Sequence, residues 1–296
     1  MVTGAAWTDI DKDGWEDLVV VGEWMPVTVF KNNKGSLSNV THQLGLQNTS
    51  GLWQTIKAGD VNGDGRDDLL LGNLGENSKF HASENYPLKM FAGDISGNGF
   101  FDQVVAVEKN GYYYSFLNKE EMEKRFPVIM KKKFLDYSSY AGKKVDEVFT
   151  DGLKRTKELQ VQTLSSLLLL NNGKGGYQKK PLPTQVQYYP VYAFITGDFN
   201  NDKRTDIFCA GNFTGVTPFE GFYDAGYGTV LTATEQDSFI AGGPLQSGIT
   251  IKGEVRDIKP IRTIGGLQLY AVARNNDQII FFRKKLPEKN KLLQIH

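Results

Sequence analysis

Cysteine is all but missing from this chain: 296 residues contain one, Cys209, so no disulfide framework can organise it. Its setting in the apolar segment IFCAG predicts a buried, unreactive thiol. Histidine is almost as scarce, and His42, His81 and His296 stand at neither metal-ligand nor catalytic-triad spacing. No G-x-S-x-G elbow, H-E-x-x-H pair or phosphate-cradling loop occurs. Net charge is also absent, because 34 basic residues balance 34 acidic ones. No global field therefore directs the protein to nucleic acid or to an anionic membrane. No apolar run approaches the ~18 residues of a membrane span, and no secretory leader opens the chain. Because Met1 lies only a few residues before the first patterned strand, we expect a fragment, with a signal sequence and further repeats upstream.

Acidic turns are what the chain has in plenty. In DIDKDGWEDLVVVG, residues 9–22, Asp9, Asp11, Asp13 and Asp17 occupy positions 1, 3, 5 and 9 of a tight loop, with Gly14 at position 6. Alternate side chains of so short a loop can converge on one hard cation, and an oxygen-only set suits calcium rather than zinc or copper. The loop is not an EF-hand, which needs a bidentate Glu at position 12; here that position is Val20, in a β-branched run that reads as a strand. The phrase then recurs three times. Asp60, Asn62, Asp64 and Asp68 precede LLLGN; Asp94, Ser96, Asn98 and Asp102 precede QVVAV; Asp198, Asn200, Asp202 and Asp206 precede IFCAGN. Each copy also follows a short apolar segment ending in Asp: GAAWTD, TIKAGD, KMFAGD and AFITGD. Self-similarity of this kind defines a repeat architecture.

These residues resemble the FG-GAP/VCBS repeats of integrin-α-like β-propellers, whose blades carry a D-x-[DN]-x-DG-x-x-D calcium loop between their first two strands. The resemblance runs from about Val2 to Phe282, apart from a segment near residues 117–157. The run from SSLLLLNNGKGGY through VRDIKPI to YAVARNNDQIIFF is also similar to the C-terminal part of large Bacteroidetes-type cell-surface VCBS proteins. The resemblance implies an all-β propeller of about five four-stranded repeats, alone or within a seven- or eight-bladed ring. It further implies bound calcium and an extracellular, periplasmic or outer-surface location, with upstream repeats of the same chain as neighbours.

Taken in order, the expected repeats cover residues 2–46, 52–87, 88–189, 190–246 and 247–283, within a propeller region of residues 1–285. A polar tail, residues 286–296, is expected to fray. In the third repeat, Met122, Phe126, Ile129, Met130 and Phe134 fall on one helical face, predicting a helical insertion over 117–157 that breaks at Pro127. Strands are expected to resume at LQVQTLSSLLLLNNGKGGYQKK and complete that repeat. The fifth repeat is degenerate: Asp257 opens its loop, Pro260 follows, and no metal is expected there.

Carboxylates at the four ligand positions number four, three, two and three in the successive loops. The first two are the best expected sites, with the backbone carbonyls of Trp15 and Arg66 at position 7 completing the shells. Two calcium ions are expected, and up to four. In the fourth loop Lys203 replaces the glycine, which strains a left-handed turn and places an ammonium near the site. The expected role of the ion is structural, because the loop carboxylates are committed to it. Glu23, Glu220 and Asp224 lie outside the loops and read as solvated surface rather than a glycosidase pair. The segment GNFTGVTPFEGFYDAGYG, with Phe219, Phe222, Tyr223 and Tyr227, is the expected recognition loop. A non-catalytic module binding protein or glycan is the leading expectation. A polysaccharide-active domain and a purely architectural segment remain its alternatives.

Overall fold

A computed structural model describes residues 1–217, 221–235, 237–284 and 292–295, the last four by backbone alone. Strands take 42% of the chain and helices 14%, so the structure is mostly β, built of antiparallel sheets. It divides into two units, one of residues 1–79 and 164–296, the other of residues 80–163.

The first unit opens with β1 (Val2–Thr8), β2 (Asp17–Met25), β3 (Thr28–Asn33) and β4 (Ser36–Asn39), paired in chain order. The short β5 (Gly51–Leu52) pairs with the far end of β2. Next come β6 (Thr55–Gly59) and β7 (Asp68–Gly72), which start a second sheet and leave it half built.

At this point the chain enters the second unit. Here β8 (Leu88–Gly93), β9 (Asp102–Lys109) and β10 (Tyr112–Ser115) form a meander. Four short helices follow: α1 (Lys119–Arg125), α2 (Pro127–Lys133), α3 (Tyr137–Tyr140) and α4 (Val145–Phe149). Then β11 (Thr156–Val161) pairs with β8 on the side away from β9. The helical periodicity is realised as expected. Met122, Phe126, Met130 and Phe134 are buried in one cluster with Val104 and Ala106 of β9, while Ile129 packs at its margin. The break falls at Pro127, which opens α2 where its missing N–H costs nothing.

The chain then returns to the first unit. Strand β12 (Leu167–Asn171) pairs with β7, placing Leu167 opposite Leu71 and Leu169 opposite Leu69, and β13 (Tyr177–Pro181) completes the sheet. The expected second and third repeats, residues 52–87 and 88–189, therefore require correction: the second sheet is split in the chain, and residues 80–163 are inserted between its strands β7 and β12. The physical reason lies in β7 and β12, every residue of which is buried. Strands apolar on both faces must sit in the middle of a covered sheet, and pairing the two satisfies both.

A third sheet in this unit, β14 (Val191–Gly197), β15 (Asp206–Gly211), β16 (Thr229–Ala233) and β17 (Phe239–Gly242), follows chain order. So does the last, β18 (Val255–Arg262), β19 (Gln268–Arg274), β20 (Ile280–Lys284) and β21 (Leu292–Ile295). Two further corrections fall here. Asp257 opens no loop, since it and Pro260 lie inside β18. That strand is a sheet edge, where proline leaves no ladder hydrogen bond unmade. The expected frayed tail contains β21, which pairs with β20; residues 286–291 and 296 lie outside the described residues.

The sheets of the first unit pack face to face in series. Val19, Val21 and Val29 of the first meet Leu69, Leu71 and Leu167 of the second. Leu70, Leu168 and Leu170 on its other face meet Ile207, Cys209 and Leu231 of the third, so the buried thiol is confirmed. Phe208, Ala210 and Val230 then meet Ile258, Val272 and Phe282 of the last. The opening strands β1, β6, β14 and β18 lie in contact one after another. Where the insertion leaves the first unit, the Gly75 N–H donates to the Leu164 carbonyl (2.9 Å). Replacing residues 80–163 by a short Gly/Ser linker is accordingly expected to leave the four sheets folded. The check is cooperative urea unfolding with a native-like near-ultraviolet dichroism spectrum.

Candidate metal centre

All four Asp-rich segments adopt one loop with one hydrogen-bond pattern. The carboxylate at position 1 accepts backbone N–H groups from positions 5 and 6. Asp9 takes those of Asp13 (3.0 Å) and Gly14 (2.8 Å), and Asp60 those of Asp64 (3.2 Å) and Gly65 (2.8 Å). Asp94 takes those of Asn98 and Gly99, and Asp198 those of Asp202 and Lys203. The position-5 side chain then accepts the N–H of position 7, as Asp13 does from Trp15 and Asp64 from Arg66, both at 2.9 Å. Such Asx-type turns let side-chain oxygens satisfy a backbone that belongs to no ladder.

Two positions per loop take left-handed backbone. Position 6 does so at Gly14, Gly65 and Gly99, and Lys203 adopts the same conformation with φ of 70°. The expected strain at Lys203 is thus present. Position 4 is the second: Lys12, Gly63, Gly97 and Asn201 all have positive φ. The sequence hinted at it, since two glycines and an asparagine stand there. Position 2 has a structural part of its own. Ile10, Val61, Ile95 and Phe199 are each buried in a different core cluster, pinning the loop to the packing below it.

Position 9 carries the firmest connection. Asp17, Asp68 and Asp206 are fully buried. Each carboxylate accepts one N–H from position 2 of its own loop: Ile10 (3.2 Å), Val61 (3.1 Å) or Phe199 (2.9 Å). Its other oxygen accepts an N–H from the neighbouring strand of the sheet: Asn32 (2.7 Å), Asn171 (2.8 Å) or Ala233 (2.9 Å). Burial pushes all three carboxyls upward, Asp68 to about 6, while the amide bonds pull the other way. Asp102 of the third loop departs from this pattern: it is half-buried and accepts from position 3, the Ser96 N–H (2.9 Å).

The expected ligands are not gathered equally. Asp9, Asp11 and Asp17 bring carboxylate oxygens within 4.8 Å of one another, a cluster able to hold a metal ion and, among the described residues, the single such group. Asp13 instead meets the Lys31 ammonium at 3.0 Å, and that contact, with the Trp15 N–H, holds its carboxyl below the usual range. In the second loop the Arg66 guanidinium reaches Asp64 at 3.2 Å. In the third, Arg155 donates to the carbonyls of Asp94 and Ile95. In the fourth, the Lys284 ammonium donates to the Asp198 carbonyl (2.6 Å) and the Asn201 side chain (2.5 Å). The carboxylates of the second loop (Asp60, Asp64 and Asp68) and of the fourth (Asp198, Asp202 and Asp206) form no such group among the described residues, and the third loop has only two carboxylates, Asp94 and Asp102.

The candidate recognition loop divides. Phe222 and Tyr227 are exposed, whereas Tyr223 is 7% exposed and exchanges backbone hydrogen bonds with Phe213. Tyr223 is therefore a packing residue, a correction to its expected role. Phe219 and Glu220 lie outside the described residues. Nearby, the Glu254 carboxylate is occupied by the Thr214 N–H (2.6 Å), the Asn275 amide (2.8 Å) and the Arg256 guanidinium.

Fold and site together define a β-rich repeat protein in which four of the sheets begin with an acidic nine-residue turn between their first two paired strands. Residues 9–71 match the family model of the FG-GAP-like repeat, and the chain carries a repeat of that family. FG-GAP repeats are typically extracellular interaction modules. No curated protein matches the chain. No helix among the described residues is long and apolar enough to cross a membrane.

Removing a position-9 carboxylate strands two interior N–H groups. Asp206→Ala is expected to lower stability in calcium-free urea unfolding by about 2–4 kcal/mol, against under about 1 kcal/mol for the exposed Asp202→Ala.

Proposed function

We propose that the chain is a non-catalytic, calcium-stabilised module of β-propeller type that works outside the cell or at its surface by binding protein or glycan. The observation that carries this reading is the converging Asp9, Asp11 and Asp17 carboxylates, set in a loop geometry that occurs four times in the chain. Oxygen-only donors on a loop with two left-handed residues suit a hard cation. Calcium bound there supplies the positive charge that like-charged carboxylates otherwise lack. The chain's own part is to hold those oxygens in place. Asp17 does so from the interior, and Asp9 does so through the N–H groups of the turn.

The propeller reading is supported by serial face-to-face packing of four sheets and by contact between successive opening strands. The non-catalytic reading rests on the scarcity of histidine and of nucleophile motifs in the sequence. For recognition, β15 runs from the fourth metal loop at Asp206 to Gly211, so the loop bearing Phe222 and Tyr227 begins at the opposite end of that strand. Metal and ligand surfaces are thereby separated, and the ion acts on binding only through the sheet.

Thermal unfolding in calcium and after chelation, with calorimetric counting of bound ions, tests the proposal. At a hundredfold excess over Kd, one ion adds about 2.7 kcal/mol, so a rise in Tm of about 5 °C or more is expected. No shift and no bound ion would leave the loops as turns and remove the metal from the proposal.

A further inference from the structure

Lys31 has no part in the cation reading above, yet it lies closer to the first loop's carboxylates than any other described basic group. It sits on β3, and its ammonium pairs with both Asp11 and Asp13, at 3.0 Å from the latter. These are positions 3 and 5, and Asp11 also belongs to the three-carboxylate cluster. A lysine ammonium is a compact point charge on a flexible stem; here it occupies two of the carboxylates that an ion would need. The other loops differ. Arg66 reaches Asp64 alone, while Arg155 and Lys284 donate to carbonyls or to an amide oxygen.

Beside Lys31 a cavity of about 420 Å³ opens between the first two sheets, lined by Ile10, Lys12, Val40, Leu44, Arg66 and Tyr177 among others. Its size leaves room for a displaced lysine side chain without movement of β3. Its walls include long apolar surface for the stem.

We propose that Lys31 is a built-in competitor for the cation of the first loop. In the cation-free protein the ammonium holds Asp11 and Asp13 together. When an ion takes these carboxylates, the ammonium moves into the adjoining cavity. The loop with most carboxylates then binds less tightly than its charge count implies, because ion entry must first displace an internal charge. This inference rests on the first loop being a cation site.

Trp15, within the loop, makes the test specific to this site, since a neighbouring indole sensitises terbium emission. Terbium titration and its reversal by calcium are measured on the full chain, with Trp15→Phe defining the signal from this loop. Lys31→Met is expected to bind about three- to tenfold more tightly than wild type, and in chelator to melt at a lower temperature. Lys31→Arg, which keeps the charge, binds no more tightly than wild type. Lys34→Met removes a charge from the same hairpin that makes none of the described ion pairs, and leaves affinity unchanged. Equal affinities for Lys31→Met and wild type, or an equal gain in Lys34→Met, would overturn the proposal. Absence of sensitised terbium from every variant would instead overturn the cation reading, and this inference with it.

Discussion

A buried carboxylate bonded to two backbone amides is the interaction on which the rest of the structure depends. Asp17, Asp68 and Asp206 lose all contact with water and regain hydrogen bonds from their own loop and from the adjacent strand of the sheet. A carboxylate stripped of solvent is tolerated only where such donors replace it. Loop and sheet are therefore fixed relative to one another before any ion is considered. The turn above is then shaped by the position-1 carboxylate and anchored below by the apolar residue at position 2. The remaining oxygens are held in place at the cost of mutual repulsion.

That repulsion gives the loops their chemistry. Two to four negative groups around each turn invite a positive one, and the chain supplies it differently each time. Lys31 stands on two carboxylates of the first loop, Arg66 on one of the second, and Arg155 and Lys284 on backbone or amide oxygens of the third and fourth. Loops alike in sequence are thus unlike in local field. A count of carboxylates alone ranks their affinities without this internal competition.

Much of the site was legible in the sequence. Alternation of Asp and Asn with a glycine at position 6 specifies the turn, because those side chains bond their own backbone within a few residues. Position 4 was equally legible in Gly63, Gly97 and Asn201, and the apolar position 2 in Ile10, Val61, Ile95 and Phe199, although neither entered the ligand pattern. Lys31 carried no such signal. It reaches the loop only because β3 pairs with β2, with Phe30 opposite Leu18. Tyr223 was indistinguishable from Phe222 in sequence, and its burial follows from the backbone exchange with Phe213.

The helical face of Met122, Phe126, Met130 and Phe134, the β character of the chain and the four turns are short-range properties. Each is encoded within a dozen or so residues, and the sequence by itself determined them. Only the tertiary structure decided which strands share a sheet. Leu69 and Leu71 find Leu169 and Leu167 across an inserted unit of some eighty residues, while nearer strands such as β8 and β11 pair with each other. Local pattern marks a strand as apolar on both faces. The partner that covers it is chosen by burial summed over the whole fold, and that sum is not written in any one stretch of the chain.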